Sequence, residues 1–163
     1  MFKAVTGDVF SAEVDVLVHG CNAFHAMHSG VAGIVRREYM GAINEDYATA
    51  KSDENKMGTY SFWTGPHARL PGRTITICNA YTQFDYGRNK VHADYNAIKW
   101  VMQKIAEDFK DKVIGFPAIG CGLAGGLMST VLDIFLEVFK KSSVDATLYL
   151  LPNEFQEVER KTY

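Results

Sequence analysis

No apolar run in this chain approaches the roughly 20 residues needed to cross a bilayer, so a membrane span is not expected. The opening segment, MFKAVTGDVFSAEVDVLVHG, carries an acidic pair, Glu13 and Asp15, between its apolar stretches. It has neither the basic start nor the uninterrupted apolar block of a secretory signal. Cysteine is scarce and odd in number: Cys21, Cys78 and Cys121, with no C-x-x-C pair. A disulfide framework is therefore not expected, and a reducing cytoplasmic setting is. Net positive charge is missing as well, the formal balance being −2. A protein whose main task is to grip long nucleic acid through its phosphates carries a basic footprint. A small nucleotide stays open, because backbone N–H groups hold phosphates without lysine or arginine. Internal repeats, linkers and low-complexity tracts are absent too. The 163 residues fit one domain, 1–163.

What the chain does have is an apolar content of 47%, enough for a real core. A domain of this size buries about 70% of the surface its unfolded chain exposes. Residues 2–6 and 14–19 (VDVLVH) read as strands, rich in valine and bounded by turn residues. GCNAFHAMHSG then reads as a loop, and the spacing of Val31, Ile34, Val35 and Tyr39 predicts a helix to about Met40. Residues 42–51 suggest a second short helix. TYSFWTG (59–65) and RTITICNAYT (73–82) read as strands about the turn PHARLPG. In 93–110, Ile98, Val101, Met102, Ile105 and Phe109 form one helical stripe. KVIGFPAIG begins as a short buried strand, LMSTVLDIFLEVFKK is an apolar helix, ATLYLL is a last strand, and NEFQEVERK suggests a terminal helix. Strands alternating with helices indicate an α/β layer structure with a largely parallel sheet.

Two glycine-bearing loops join a strand to a helix. In HGCNAFHAMHSGVAG, Gly30 and Gly33 sit where the loop becomes a helix. In α/β sheets ligands bind outside the carboxyl ends of the strands. Glycine lets backbone N–H groups approach an anion, and a helix N-terminus favours negative charge. In PAIGCGLAGGL (117–127), Gly120, Gly122, Gly125 and Gly126 fall within seven residues. Such density is entropically costly to order. No Gly-Lys-Ser/Thr follows, so this is not a Walker A loop, and the Rossmann arrangement is lacking at the first strand–helix turn. Either loop alone is equally a turn without ligand. Together, at matching topology, they suggest one diphosphate held from two sides.

Polar side chains cluster near these loops: His19, Asn22, His25, His28, His92 and Asp94. Cys21, His25 and His28 allow a metal on paper, but no matching second ligand cluster appears, so no metal is expected. His19 is either a satisfied core histidine or a phosphate-facing donor and general acid. Asp94 opens a helix, either as a terminal carboxylate favoured by the dipole or as a group that orients or deprotonates a water. Asp8, in TGD, either caps a turn or accepts from an adenine amine. Tyr81, Phe84 and Tyr86 either line a cleft or cover the sheet edge. Cys121 has no histidine paired with it in sequence and reads as a small loop residue, not a nucleophile.

Taken in order, GDVF, VDVLVHGCNAFHAMHSGVAGIVRREY, NAYTQ and IGFPAIGCGLAGG resemble the macro domain family over nearly the whole chain, Phe2 to about Leu151. The likeness is greatest to the branch holding yeast-type ADP-ribose 1''-phosphate phosphatases, human terminal ADP-ribose glycohydrolase-like proteins and many bacteriophage homologues. The resemblance implies a three-layer α/β/α fold with a mixed, largely parallel central sheet and an ADP-ribose cleft at its crest. It places Asp8 at the adenine amine, Val9 beside the adenine ring, Asn22 near the distal ribose, and Gly30, Val31 and Ala32 against the ribose and diphosphate, and it counts Cys21 among the ligand-binding residues. It places Ile119, Gly120, Cys121, Gly122, Leu123, Ala124 and Gly125 in the second phosphate loop. His19, in HGCN, matches the histidine that the phosphatase branch uses for phosphate removal, and Asp94 matches an acidic position common among phage-like members. His19, Asn22 and Asp94 are thus the expected catalytic set.

Ala124 stands where the glycohydrolase-like proteins have an aspartate, which argues against their lysine–aspartate chemistry. Leu127 and Met128 replace an Asp-Trp pair of many phage-like members. The expected activity is conversion of ADP-ribose 1''-phosphate to ADP-ribose. Removal of ADP-ribose from protein or nucleic acid and plain ADP-ribose reading are the alternatives. The expected partner is ADP-ribose or its 1''-phosphate, alone or on an ADP-ribosylated macromolecule, met by a monomer without cofactor in the cytoplasm, or the host's cytoplasm if the chain is phage-encoded.

Overall fold

A computed structural model describes residues 1–28, 30–87, 91–119, 126–152 and 154. The elements run β1 (Phe2–Thr6), β2 (Val16–Cys21), α1 (Gly30–Glu38), α2 (Met40–Tyr47), β3 (Tyr60–Pro66), β4 (Thr74–Tyr81), α3 (Tyr95–Asp108), β5 (Val113–Phe116), α4 (Met128–Phe139) and β6 (Asp145–Leu150). Single 3-10 turns lie at Val9–Ser11 and Glu54–Lys56. Among the described residues, no helix is long and apolar enough to cross a membrane.

The sheet order is β1-β6-β5-β2-β4-β3. Among the described strands, only β3 runs antiparallel, against β4; the other strand pairings are parallel. Alternation along each strand sends side chains to both faces. Val16, Val18, Cys78, Ala80, Ile114 and Phe116 meet Ile98, Val101, Met102 and Ile105 of α3 and Val131, Phe135 and Phe139 of α4. On the other face Leu17, Ile75 and Ile77 meet Val35 of α1, Ala42 of α2 and Tyr39 between them, together with Val9, Phe10 and Val14. Each fully buried side chain of this size contributes about 1.5–3 kcal/mol, so the two apolar faces hold the three layers together.

Two element boundaries differ from the sequence reading. The helix expected to reach Met40 ends at Glu38, and α2 begins at Met40 instead of residue 42. Tyr39 breaks the path (φ −133, ψ 70). Its hydroxyl accepts from the N–H of Ala68 at 3.1 Å, and its ring packs 5.8 Å from that of Trp63. These tertiary contacts override the local helical periodicity. The strand read as 14–19 is shifted to 16–21, because Gly20 continues it. A Cβ at Gly20 would lie 2.8 Å from Thr82 Oγ1 and 3.0 Å from Ile119 Cγ2. Glycine is required there for close approach of neighbouring chain, not to end the strand. The expected terminal helix, 153–161, falls outside the described residues save Glu154.

The connections make the sheet's centre special. From β2 the chain leaves through α1 and α2 over one face toward β3 and β4. From β5 it leaves through α4 over the other face toward β6. The carboxyl ends of the adjacent strands β2 and β5 therefore flank a topological switch point, where open α/β sheets bind ligands.

Candidate functional site

On one side of the switch point, the segment after β2 is folded by Asn22. Its Oδ1 accepts from the N–H of Phe24 (2.9 Å) and Ala26 (3.2 Å), and its Nδ2 donates to the carbonyl of Ala26 (2.8 Å). Both acceptor positions are engaged, leaving one N–H of Asn22. The segment is pinned to its neighbours: Ala23 donates to Phe84 O at 3.0 Å, and Ser52 donates to Ala23 O at 2.8 Å. His25 takes a left-handed backbone (φ 60), and its Nε2 meets Thr49 O at 3.1 Å. The rings of Phe24 and Phe84 meet edge to face at 5.1 Å, with Tyr86 beside them.

The segment leads into α1 through Gly30 (φ 60), with no atom within 4 Å of where a Cβ would stand. Gly30 thus opens the first turn of α1, whose leading N–H groups have no partner within the helix itself. Val31 and Ala32 follow, half-buried against the core. A Cβ at Gly33 would stand 3.3 Å from the carbonyl of His28, so the second glycine lets the loop fold tightly on the helix.

On the other side, Ile119 is buried and donates to Pro117 O at 2.8 Å. Gly120, Cys121, Gly122, Leu123, Ala124 and Gly125 lie outside the described residues. Beyond them the N–H of Leu127 donates to the hydroxyl of Tyr95 at 3.0 Å, which ties the start of α4 to the start of α3.

Asp94 caps α3: its Oδ1 accepts from the N–H of Ala97 at 3.0 Å. Its own N–H donates to Thr82 O at 2.9 Å. The antiparallel bridge Gln83↔Ala93 sets Asp94 opposite Thr82, whose Oγ1 lies over Gly20 beside Ile119. Asp94 therefore stands with the strand ends at the crest, and its second carboxylate oxygen has no partner among the described residues.

Asp8 caps the turn Val9–Ser11, its Oδ1 accepting from Phe10 N–H at 2.9 Å, while its Oδ2 pairs with Arg69 Nη1 at 2.8 Å. The side chain is nevertheless 55% exposed. Val9 is buried against the sheet near Gly115.

His19, which the sequence leaves as either a core histidine or a phosphate-facing donor, lies inside β2 opposite Asn79 and is 0% exposed. Asn79 donates to Ala42 O (2.8 Å) and Ser61 Oγ (3.0 Å), so its Oδ1 must accept. His19 Nε2 donates to that oxygen at 2.7 Å. The side chain faces the layer beneath α2, and the satisfied core histidine is the reading that fits. Burial holds its pKa below the ordinary value, opposed by the Asn79 bond and the charge of Asp46. Cys21 Sγ lies against the same ring, and burial, reinforced by Asp46, pushes its thiol well up, which favours the protonated form. Cys21, His25 and His28 do not converge on a metal: they turn to the His19 ring, to Thr49 and to Arg36 respectively.

This polar layer extends beyond anything the sequence reading found. Tyr81 donates to Asp46 Oδ1 at 2.7 Å, and Lys56 Nζ donates to Thr49 Oγ1 (2.7 Å) and Ala50 O (3.0 Å). It fixes α2 and the chain after it beneath the first loop. The available signal was Asn79, a polar residue in an otherwise apolar strand.

The burial of His19 gives a pH prediction. An unfolded histidine takes up its proton near pH 6.5, whereas folded His19 stays neutral to lower pH. Below about pH 6.5 the unfolded state binds more protons, so this residue makes stability rise with pH there and fall on acidification. Denaturant titrations at about pH 7 and pH 5 are expected to show a shallower pH slope in His19→Gln, by up to about 1.4 kcal/mol per pH unit. An unaltered slope would place the proton elsewhere.

The family described as Macro domain matches residues 18–135. An uncharacterized 17.5 kDa protein from the tk-vs intergenic region of Enterobacteria phage T4 is 31% identical over 143 residues, covering 82% of this chain and 88% of that protein. Thermosipho africanus DarTG in complex with ADP-ribose superposes with a TM-score of 0.78 at 19% identity, over 93% of this chain and 42% of that one. The Trypanosoma brucei macrodomain in complex with ADP gives a TM-score of 0.65 at 16% identity, over 99% and 69%. At these identities the two structures speak to the fold.

Proposed function

The chain belongs to the Macro domain family, and on that premise we propose that it binds ADP-ribose across the switch point between β2 and β5 and removes the phosphate of ADP-ribose 1''-phosphate. The observation that carries the binding is Gly30, left-handed and facing open space at the N-terminus of α1. The N–H groups of Gly30, Val31 and Ala32 hold the diphosphate from one side. Residues 119–125, the second phosphate-binding stretch that the family resemblance implies, hold it from the other. Asp8 takes the adenine amine, Val9 backs the base, and the remaining N–H of Asn22 meets the distal ribose above Cys21. The ADP-ribose and ADP of the Thermosipho and Trypanosoma structures support this ligand class.

The chemical step falls to Asp94, whose Oδ1 is fixed by the cap and whose Oδ2 is left to accept a proton from water. The water adds to phosphorus, the bond from phosphorus to the C1'' oxygen breaks, that oxygen takes up the proton that Asp94 removed, directly or through water, and ADP-ribose and phosphate leave. Held N–H groups stabilise the phosphoryl oxygens, so positioning and electrostatics supply most of the rate. His19 supports this step only through the layer beneath the loop. A reader without turnover is the second reading, and the enclosure of His19 favours it.

Incubation with ADP-ribose 1''-phosphate and with ADP-ribosylated protein in parallel tests the proposal. Phosphate released from the first substrate is the expected result. Release of ADP-ribose from the second alone would replace the phosphatase by a hydrolase, and binding without product would leave the reader.

A further inference from the structure

We infer that Arg69 is the positioning residue for Asp8 and thereby sets a preference for adenine over a 6-oxopurine. This deepens, and rests on, the reading of Asp8 as the contact of the adenine amine. Arg69 lies in the turn between β3 and β4, far from Asp8 in sequence, and no motif points to it. Its guanidinium forks onto Glu38 of α1, Nε to Oε1 at 2.8 Å and Nη2 to Oε2 at 3.0 Å. Its Nη1 donates both to Asp8 Oδ2 at 2.8 Å and to Ser11 Oγ at 3.0 Å. Its Cζ sits 5.6 Å from the centre of the Phe10 ring.

A guanidinium has five N–H donors in a rigid fork. Four are engaged here, so Arg69 has no fork left to grip a diphosphate. The arrangement instead holds a carboxylate. Asp8 Oδ1 is fixed by the N–H of Phe10 and Oδ2 by Arg69, and the side chain stays half-exposed. Each oxygen keeps a further acceptor position, and charge-assisted bonds hold both in place.

A clamped carboxylate offers acceptors at one fixed point. Adenine brings an amine to it. Hypoxanthine brings a carbonyl at the same ring position, acceptor against acceptor, which is discrimination by repulsion. Hypoxanthine also carries an N–H one ring atom away, which a carboxylate free to swing would reach. Loss of the clamp therefore weakens adenine binding and relieves the rejection of hypoxanthine.

The test is calorimetry of the wild type, Arg69→Gln and Glu38→Gln with ADP-ribose and with its hypoxanthine counterpart. Both ligands are titrated into the same preparation, so any loss of folded protein cancels in the ratio of affinities. The wild type is expected to prefer ADP-ribose by at least about tenfold, and Arg69→Gln to lower that preference to about threefold or less. Glu38→Gln, which loosens the fork but keeps the Asp8 pair, is expected to fall between. A wild type without adenine preference would sink the reading of Asp8 and this inference with it. A wild-type preference retained in Arg69→Gln would overturn the role of Arg69 alone.

Discussion

Replacing Gly30 with valine is expected to weaken ADP-ribose binding about 100-fold, a loss of about 2.7 kcal/mol, while lowering the melting temperature by only a few degrees. The left-handed backbone at Gly30 costs a side-chain-bearing residue about 1–2 kcal/mol, and a β-branched residue is a genuine outlier there. A Cβ at this position meets nothing within 4 Å, so the first added carbon brings no overpacking penalty. In a domain of this length, 1 kcal/mol shifts the midpoint by about 2–4 °C. The strain is relieved by rotating the peptide at the start of α1. That rotation turns away the N–H groups proposed to hold the diphosphate, so the loss falls on binding more than on stability. Alanine at the same position is expected to act in the same direction by a smaller factor. Unchanged affinity in Gly30→Val, measured by calorimetry, would remove this helix start from the ligand site.

The second large effect is expected at Asp94. Asparagine and aspartate cap helices about equally well, so Asp94→Asn keeps an oxygen for the N–H of Ala97 and keeps α3. It loses the carboxylate that takes the proton of water. Phosphate release from ADP-ribose 1''-phosphate is expected to fall at least about 100-fold, within the usual range for general-base loss, with the dissociation constant for ADP-ribose changed less than about threefold. Asp94→Ala adds the loss of the cap, about 1 kcal/mol of stability. Near-normal turnover in Asp94→Asn would leave the carboxylate as a cap and nothing more.

The sequence showed most plainly what local patterns encode. The stripe Ile98, Val101, Met102 and Ile105 is the buried face of α3. The two strand-to-helix turns do leave adjacent parallel strands of one sheet on opposite faces. What was not legible depends on partners distant in the chain. In the sequence His19 stands at a strand end and reads either as a core histidine or as a phosphate-facing donor, because Gly20 falls in the stretch read as loop. The glycine instead accommodates Thr82 and Ile119, and the strand's continuation turns His19 toward Asn79, sixty residues on. The Asp46–Tyr81 bond and the seat of Lys56 arise only once α2 is laid over β4. Arg69 carries no sequence signal for the same reason, since Glu38 and Asp8 converge on it from two other segments.

These differences shift weight from the reaction to the binding. The catalytic set read from the sequence was His19, Asn22 and Asp94. His19 is enclosed, Asn22 folds its own loop, and Asp94 keeps a carboxylate oxygen with no partner among the described residues.

The most direct test of the central claim is calorimetric titration of the protein with ADP-ribose, ATP and NAD under one set of conditions. ADP-ribose is expected to bind most tightly, because its adenine, diphosphate and free distal ribose match Asp8, the two turns and Asn22 together. Equal affinity for the three, or tighter binding of ATP or NAD, would contradict an ADP-ribose site at this crevice.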